Sequence, residues 1–174
     1  TQFYRNRGYA RIRVGQPEMK TLQVTKDGKT RWVELRIPTF TGKLLWNHAL
    51  SPAVRSGMSI PSPLKVGDQL FLTSFYNGSL LLRIGADAPS VVWQSRKVTE
   101  MDTDGLHSVM ATPLIENGFV YSPCSYGQFR CLRLDTGERV WETFAPTSGK
   151  STRWGHTFIV KQDDRCFLFS ETGD

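Results

Sequence analysis

Two histidines, His107 and His156, stand in a sequence context that could form a binding site. Asp104 precedes the first histidine closely, and Arg153 and Trp154 precede the second. An imidazole can bind a metal ion, act as a general base or make polar contacts with a ligand. We therefore take these five side chains as ligand-binding candidates. The alternative is that both histidines are loop residues hydrogen-bonded to the backbone.

Other catalytic signatures are missing from the sequence. It contains no GxSxG, HExxH, phosphate-binding loop or paired-carboxylate motif, so we assign no catalytic residue and no metal site. Cys124, Cys131 and Cys166 include no CxxC pair, which argues against a zinc knuckle and a disulfide framework. Cys124 and Cys131 flank one predicted hairpin. We expect them to be small buried apolar residues or, if the protein is exported, a cross-strand disulfide.

The net charge of +6 is confined to residues 1–36, which hold nine Lys and Arg residues and three acidic ones. Arginines alternate there, as in Arg5 and Arg7 and in Arg11 and Arg13. This spacing fits the solvent face of a strand, because strand side chains repeat with period two. Contact with a polyanion or an anionic surface is the alternative. From residue 37 onward the charges balance, so we predict no nucleic-acid partner.

The composition of the 174 residues, 39% hydrophobic and 22% charged, is that of a globular domain. No apolar run approaches the roughly 18 residues that a transmembrane helix requires. The sequence starts at Thr1 without a leader and stops just after a Thr-Gly pair. We therefore expect a fragment of a longer chain, whose export signal and natural ends lie elsewhere.

A long internal repeat is the strongest pattern in the chain. Residues 110–142 align with residues 59–94, and a third copy begins near Gly155, with Ile159 aligned on Leu114. The matched positions are Pro63 with Pro113, Gly78 with Gly127, and Trp93 with Trp141. Trp46 ends an earlier copy, so the tryptophans recur at spacings of 47 and 48 residues.

Each repeat contains four short strand patterns separated by turns that carry glycine. In the best copy we predict strands at residues 111–115, 119–123, 128–134 and 139–143. Four antiparallel strands per period of this length are typical of a β-propeller blade. A β-sandwich, the rival all-β fold, does not predict the recurrence.

The blade boundaries follow from the repeat. We predict one partial propeller domain over residues 1–174, with a degenerate blade at 1–48, blades at 49–96 and 97–145, and the start of a truncated blade at 146–174. The chain would then hold about three and a half blades of a propeller with seven or eight. In the first segment we expect a hairpin of residues 21–25 and 30–37.

The end of each repeat resembles the blade signature AxDxxTGxxxW of the PQQ-like, or quinoprotein-type, propellers. In the run CLRLDTGERVW, Thr136, Gly137 and Trp141 match, whereas Cys131 and Arg133 replace the usual Ala and Asp. The copy that ends at Trp46 keeps Thr41 and Gly42, and the copy that ends at Trp93 keeps only the Trp. The resemblance implies that these tryptophans and Thr-Gly turns dock neighbouring blades.

The family resemblance implies a binding or scaffold module in the periplasm or outside the cell. Its partner would be a protein, or a small ligand at the channel mouth, and the full-length chain would close the propeller. One alternative is a PQQ-dependent alcohol or sugar dehydrogenase with Ca²⁺, whose cofactor residues lie mostly in missing blades. Such enzymes hold the quinone against a vicinal Cys pair, which this sequence lacks. A second alternative is a propeller appended to a signalling protein.

Overall fold

The computed structural model describes residues 46, 48, 50, 59–85, 88–96, 99, 101 and 103–173 with their side chains, and four earlier strands through their backbone. All the regular elements in the described part are β-strands. The chain divides into two compact units, residues 1–47 and residues 48–174. In the described part, no helix has the length and apolar character to cross a membrane.

The first unit contains β1 (Ile12–Val14), β2 (Glu18–Val24), β3 (Arg31–Arg36) and β4 (Thr39–Thr41). The predicted hairpin is confirmed, because β2 pairs with β3 in antiparallel fashion. β1 pairs with β4, so the two pairs are nested along the chain rather than arranged as a meander. The assignment of residues 1–48 to a degenerate blade stays a prediction. Of the alternating arginines, only Arg13 belongs to a described strand, and the other three lie outside the described residues.

The second unit begins with a four-stranded antiparallel meander, here called sheet A. Its strands are β5 (Leu64–Val66), β6 (Gln69–Ser74), β7 (Gly78–Arg83) and β8 (Ser90–Gln94), paired in chain order. Sheet B repeats this pattern with β9 (Leu114–Glu116), β10 (Phe119–Pro123), β11 (Phe129–Arg133) and β12 (Arg139–Thr143). The four-stranded meander predicted from the repeat is confirmed, whereas the number of blades stays a prediction.

A hairpin of β13 (Thr157–Gln162) and β14 (Arg165–Ser170) follows sheet B. Its pairing corrects the alignment of the third copy. Val160 pairs with Phe167, as Leu114 pairs with Tyr121 in sheet B. Val160 is therefore the structural equivalent of Leu114, and the alignment of Ile159 with Leu114 is wrong by one residue.

The core lies between sheets A and B. One face of sheet A contributes a row of directly paired residues across its four strands. This row consists of Leu64, Phe71, Leu81 and Trp93. Val120 and Leu132 of sheet B pack against it, together with Leu106 from the connection between the sheets. The alternation of buried and exposed residues along each strand places these apolar side chains on the facing surfaces.

Cys124 and Cys131, predicted to be buried, are both buried and free, and Cys166 is exposed and free. Cys131 is paired in register with Tyr121 and Trp141 on the face of sheet B directed toward β13 and β14. Cys124 instead belongs to the core between sheets A and B. The two cysteines therefore belong to different packing layers.

Candidate functional site

Trp93 of sheet A lies on the Thr-Gly turn of sheet B. Its indole Nε1 donates a hydrogen bond to the carbonyl oxygen of Leu134 at 2.7 Å. Gly137 has φ +74°, and a Cβ atom placed there would come within 2.6 Å of the Trp93 ring. The turn therefore needs glycine for two reasons, its backbone conformation and the close approach of the indole. Thr136 precedes Gly137 in this turn and lines a groove between the two sheets.

The other residues of the predicted docking motif differ in their surroundings. Trp141 packs on Phe129 and Tyr121 of its own sheet, with ring centroids 6.1 Å apart in each pair, and remains 41% exposed. Trp46 is half-buried in the first unit. Thr41 ends β4, and Gly42 lies outside the described residues.

The β12–β13 loop, residues 144–156, carries three of the candidate residues and is held by backbone hydrogen bonds. The amide of Thr152 donates to the carbonyl of Tyr126 at 3.1 Å, and the amide of Trp154 donates to the carbonyl of Ser125 at 2.9 Å. The hydroxyl of Thr147 donates to the carbonyl of Gly127 at 2.8 Å. The loop is thus fixed onto the β10–β11 turn of sheet B.

Trp154 is exposed and conformationally strained. Its φ is +61°, a region that non-glycine residues seldom occupy, and 46% of the residue is accessible to solvent. The guanidinium of Arg153 lies over the indole ring, 4.6 Å from its centroid, in a cation–π contact. The pair forms a flat aromatic surface with an adjacent positive charge.

His156 connects this loop to the end of β14. Its Nδ1 lies 2.9 Å from the carbonyl oxygen of Trp154 and 3.4 Å from a carboxylate oxygen of Glu171. Its ring and the ring of Phe158 pack in a T-shaped arrangement, with their centroids 5.4 Å apart. The structure thus brings Arg153, Trp154 and His156 together at one surface.

His107 is placed differently, in the interior between sheet A and the following connection. It is fully buried, and its backbone amide donates to the sulfur of Cys124 at 3.3 Å. Its Nε2 would lie 3.3 Å from a Cβ atom on Gly78. The sequence grouped His107 with His156 as candidates for one ligand site, whereas the structure places His107 in the interior and His156 nearer the surface. A ligand-binding role for His107 stays a prediction.

Arg130 is a buried residue that the sequence reasoning missed. Its Nη1 donates to the hydroxyl of Thr103 at 2.7 Å and to the carbonyl of Gly105 at 2.6 Å, and its Nε contacts Glu142 at 3.1 Å. Arg130 therefore fixes the connection between the sheets onto strand β11. The available signal was its position opposite Glu142 in the predicted β11–β12 pairing.

Asp104 also lines the groove between the two sheets. This inter-sheet groove has a volume of about 600 Å³. Its lining includes Trp93, Ser95, Arg96, Asp104, Gly105, Thr136, Gly137, Glu138 and Arg139. Oδ1 of Asp104 is buried and has no hydrogen-bond partner in the part of the chain that the structure describes.

Repeated four-stranded antiparallel sheets, with the Trp of one sheet on the Thr-Gly turn of the next, define the class as PQQ-like β-propeller repeat proteins. A family model described as outer membrane protein assembly factor BamB matches residues 20–161. The chain belongs to this PQQ-like repeat family. No curated protein matches it.

The predicted quinone alternative finds no fitting site in the described residues. No three His, Cys, Asp or Glu side chains converge there in a way that could hold a metal ion. The three cysteines are separate in the sequence and free in the structure. The binding of PQQ and Ca²⁺ stays a prediction for the whole protein.

Proposed function

We propose that this PQQ-like repeat protein is an extracytoplasmic binding or scaffold module whose binding surface is formed by Arg153 and Trp154 of the β12–β13 loop. One observation carries the proposal: Trp154 is half-exposed in a strained backbone conformation, with Arg153 stacked on its ring. Strained, exposed residues persist where the surrounding structure holds them, and they cluster at binding sites.

Hydrogen bonds within the protein hold the loop in one conformation in the absence of a ligand. Hydrogen bonds from the backbone of Thr152 and Trp154 to the β10–β11 turn hold the backbone that carries the indole. A rigid aromatic side chain supplies a large contact area and loses little conformational entropy on binding. Aromatic residues and arginine are also the types that dominate binding energy in protein interfaces. A protein partner fits this surface, and a small ligand with a flat face is the alternative occupant.

The compartment is proposed from the family. The matching family model is described as an outer membrane protein assembly factor, and the outer membrane lies outside the cytoplasm. We propose a periplasmic or secreted location for this chain as well. Fractionation of the source cells should recover the full-length protein outside the cytoplasm, and recovery with cytoplasmic markers would overturn this part of the proposal.

A matched pair of variants tests the binding surface. Full-length protein carrying an affinity tag would be purified from its own host as wild type, Trp154→Ala and Lys150→Ala. Lys150 is an exposed residue of the same loop. We expect a partner or ligand that co-purifies equally with the wild type and Lys150→Ala, and is lost with Trp154→Ala. Equal recovery with Trp154→Ala, or no reproducible co-purifying species, would overturn the proposal.

A further inference from the structure

We propose that the inter-sheet groove is a second binding site, which takes a Lys or Arg side chain of an extended peptide segment against Asp104. This site is independent of the β12–β13 loop. None of the residues that line the groove belongs to that loop.

The dimensions of the groove suit a peptide side chain with part of its backbone. Its volume of about 600 Å³ lies within the usual range for ligand pockets. β8 borders the groove on one side and the start of β12 borders it on the other, and Trp93 and Gly137, which are in contact with each other, are both part of its lining.

The carboxylate of Asp104 selects the charge of the ligand. Its Oδ1 is buried, and no donor within the described residues reaches it. A buried carboxylate oxygen without a donor is unfavourable, because the lost hydration is not replaced. A ligand ammonium or guanidinium that approaches Asp104 from the groove would neutralise this charge. A ligand anion would add to the cost.

The remaining charges in the lining favour a peptide over a simple polyamine. Arg139 already donates to Glu142 at 2.9 Å, so its charge is partly offset. Glu138 adds a second carboxylate near Asp104, and Arg96 adds a positive charge. In the described part of the chain, neither Arg96 nor Asp104 takes part in an ion pair. A polyamine would be repelled by Arg96, whereas a peptide can present a backbone carbonyl or an acidic side chain to it.

The position of the groove also favours an extended segment. β8 forms one border of sheet A, and no strand within the described residues pairs with its outer edge. The unpaired backbone of an edge strand can pair with an added peptide strand. A segment lying along β8 would direct alternate side chains into the groove.

Synthetic peptides provide the test. The probe is the blocked pentapeptide acetyl-Val-Thr-Lys-Val-Thr-amide, and its matched control carries norleucine in place of lysine. Binding to full-length protein would be measured by calorimetry for the wild type, Asp104→Asn and Asp164→Asn. Asp164 is an exposed residue of the β13–β14 turn and lies outside the groove. The third probe, n-butylamine, supplies the ammonium without a peptide.

We expect the lysine peptide to bind the wild type and Asp164→Asn equally, and Asp104→Asn about tenfold or more weakly. The norleucine peptide and n-butylamine should bind at least about tenfold more weakly to the wild type. The melting temperature of Asp104→Asn should equal or exceed that of the wild type, because the variant removes the charge of a half-buried carboxyl group whose Oδ1 has no donor within the described residues. A lysine peptide that does not bind, or that binds Asp104→Asn as tightly as the wild type, would overturn the proposal. Equal affinity for n-butylamine would overturn its peptide part, and a lower melting temperature would show that Asp104 has a structural partner instead.

Discussion

Trp93 of sheet A and Gly137 of sheet B are in contact across the boundary between the two sheets, and no residue larger than glycine fits under the indole ring. The indole N–H of Trp93 reaches a carbonyl of the turn, and the absence of a Cβ on Gly137 lets the ring lie flat against it. Each sheet supplies one half of this contact, the Trp from sheet A and the Thr-Gly turn from sheet B. Trp93 packs on the Thr-Gly turn of the repeat that follows its own.

Substitution of Gly137 should be much more costly than substitution of another turn glycine. Gly137→Ala introduces a Cβ atom 2.6 Å from the Trp93 ring at a φ of +74°. We expect a loss of about 2–4 kcal/mol in the free energy of unfolding, from strain and overpacking together. Urea denaturation of the purified variant measures this loss.

Gly118 is the matched control for this contact. Its φ is +80°, but a Cβ atom placed there would meet nothing within 4 Å. Gly118→Ala should therefore lower the free energy of unfolding only through the strain of a positive φ at alanine, by about 1–2 kcal/mol. Equal losses for the two variants would show that the contact between Trp93 and Gly137 contributes nothing.

Much of this arrangement is predictable from the sequence. Glycines mark the turns, and the tryptophans recur at a nearly constant spacing, so the strands of sheet B lie within three residues of their predicted bounds. The third copy was misaligned by one residue because its first turn contains Asp163 and Asp164, with no glycine to fix the register.

The residues around the candidate sites were harder to predict. His107 and Arg130 are buried, although their types are usually exposed. Their partners come from segments distant in sequence, such as Thr103 for Arg130, and no local pattern reveals those contacts. Asp104 was identified from its nearness to His107, but the structure assigns it to the inter-sheet groove instead. Burial that depends on tertiary contacts leaves no periodic signal in a single sequence.

Loss of Arg130 should destabilise the second unit. In Arg130→Leu, the carbonyl of Gly105 and the hydroxyl of Thr103 lose a buried charged donor. We expect a decrease of about 2–4 kcal/mol in the free energy of unfolding. The matched control is Arg133→Leu in the same strand, since Arg133 is about half-exposed and pairs with an exposed Asp135. That change should cost little, because exposed ion pairs contribute little to stability, and a comparable loss in both variants would contradict the role assigned to Arg130.

Stability should fall at alkaline pH because two neighbouring groups resist ionisation in the folded chain. Burial raises the pKa of the Cys131 thiol above its ordinary value of 9.0. Burial, with the nearby Cys131 thiol, also raises the pKa of the Tyr121 phenol above 10.0. The unfolded chain loses these protons first, so stability is complete below about pH 9 and decreases as the pH rises through the folded pKa values.

The alkaline loss can be assigned with two variants. The free energy of unfolding would be measured from neutral pH to pH above 10 for the wild type, Cys131→Ala and Tyr121→Phe. Each variant removes one titrating group, so its stability should decrease less steeply with pH than that of the wild type, whatever its stability at neutral pH. Identical slopes for all three proteins would exclude these groups as the cause.

The outer face of the β13–β14 hairpin should make this 174-residue chain associate with itself. Four apolar side chains lie exposed there in two directly paired rows. They are Phe158 with Phe169, and Val160 with Phe167. Each is about half-exposed, between 46% and 59%. The equivalent pair in sheet A, Leu64 and Phe71, is packed against sheet B. The hairpin therefore exposes an apolar surface of the kind that is buried between sheets A and B.

Two copies of the chain can cover this face by packing hairpin against hairpin, because an apolar patch of this kind is complementary to itself. Phe167→Thr with Phe169→Thr retains β-forming residues and removes the aromatic surface. We expect the wild-type chain to sediment as a dimer or larger species as its concentration rises, and the double variant to stay monomeric. Val140→Thr, on an equally exposed residue of β12, is the control and should associate like the wild type. A wild-type chain that remains monomeric at high concentration would show that this face needs no cover.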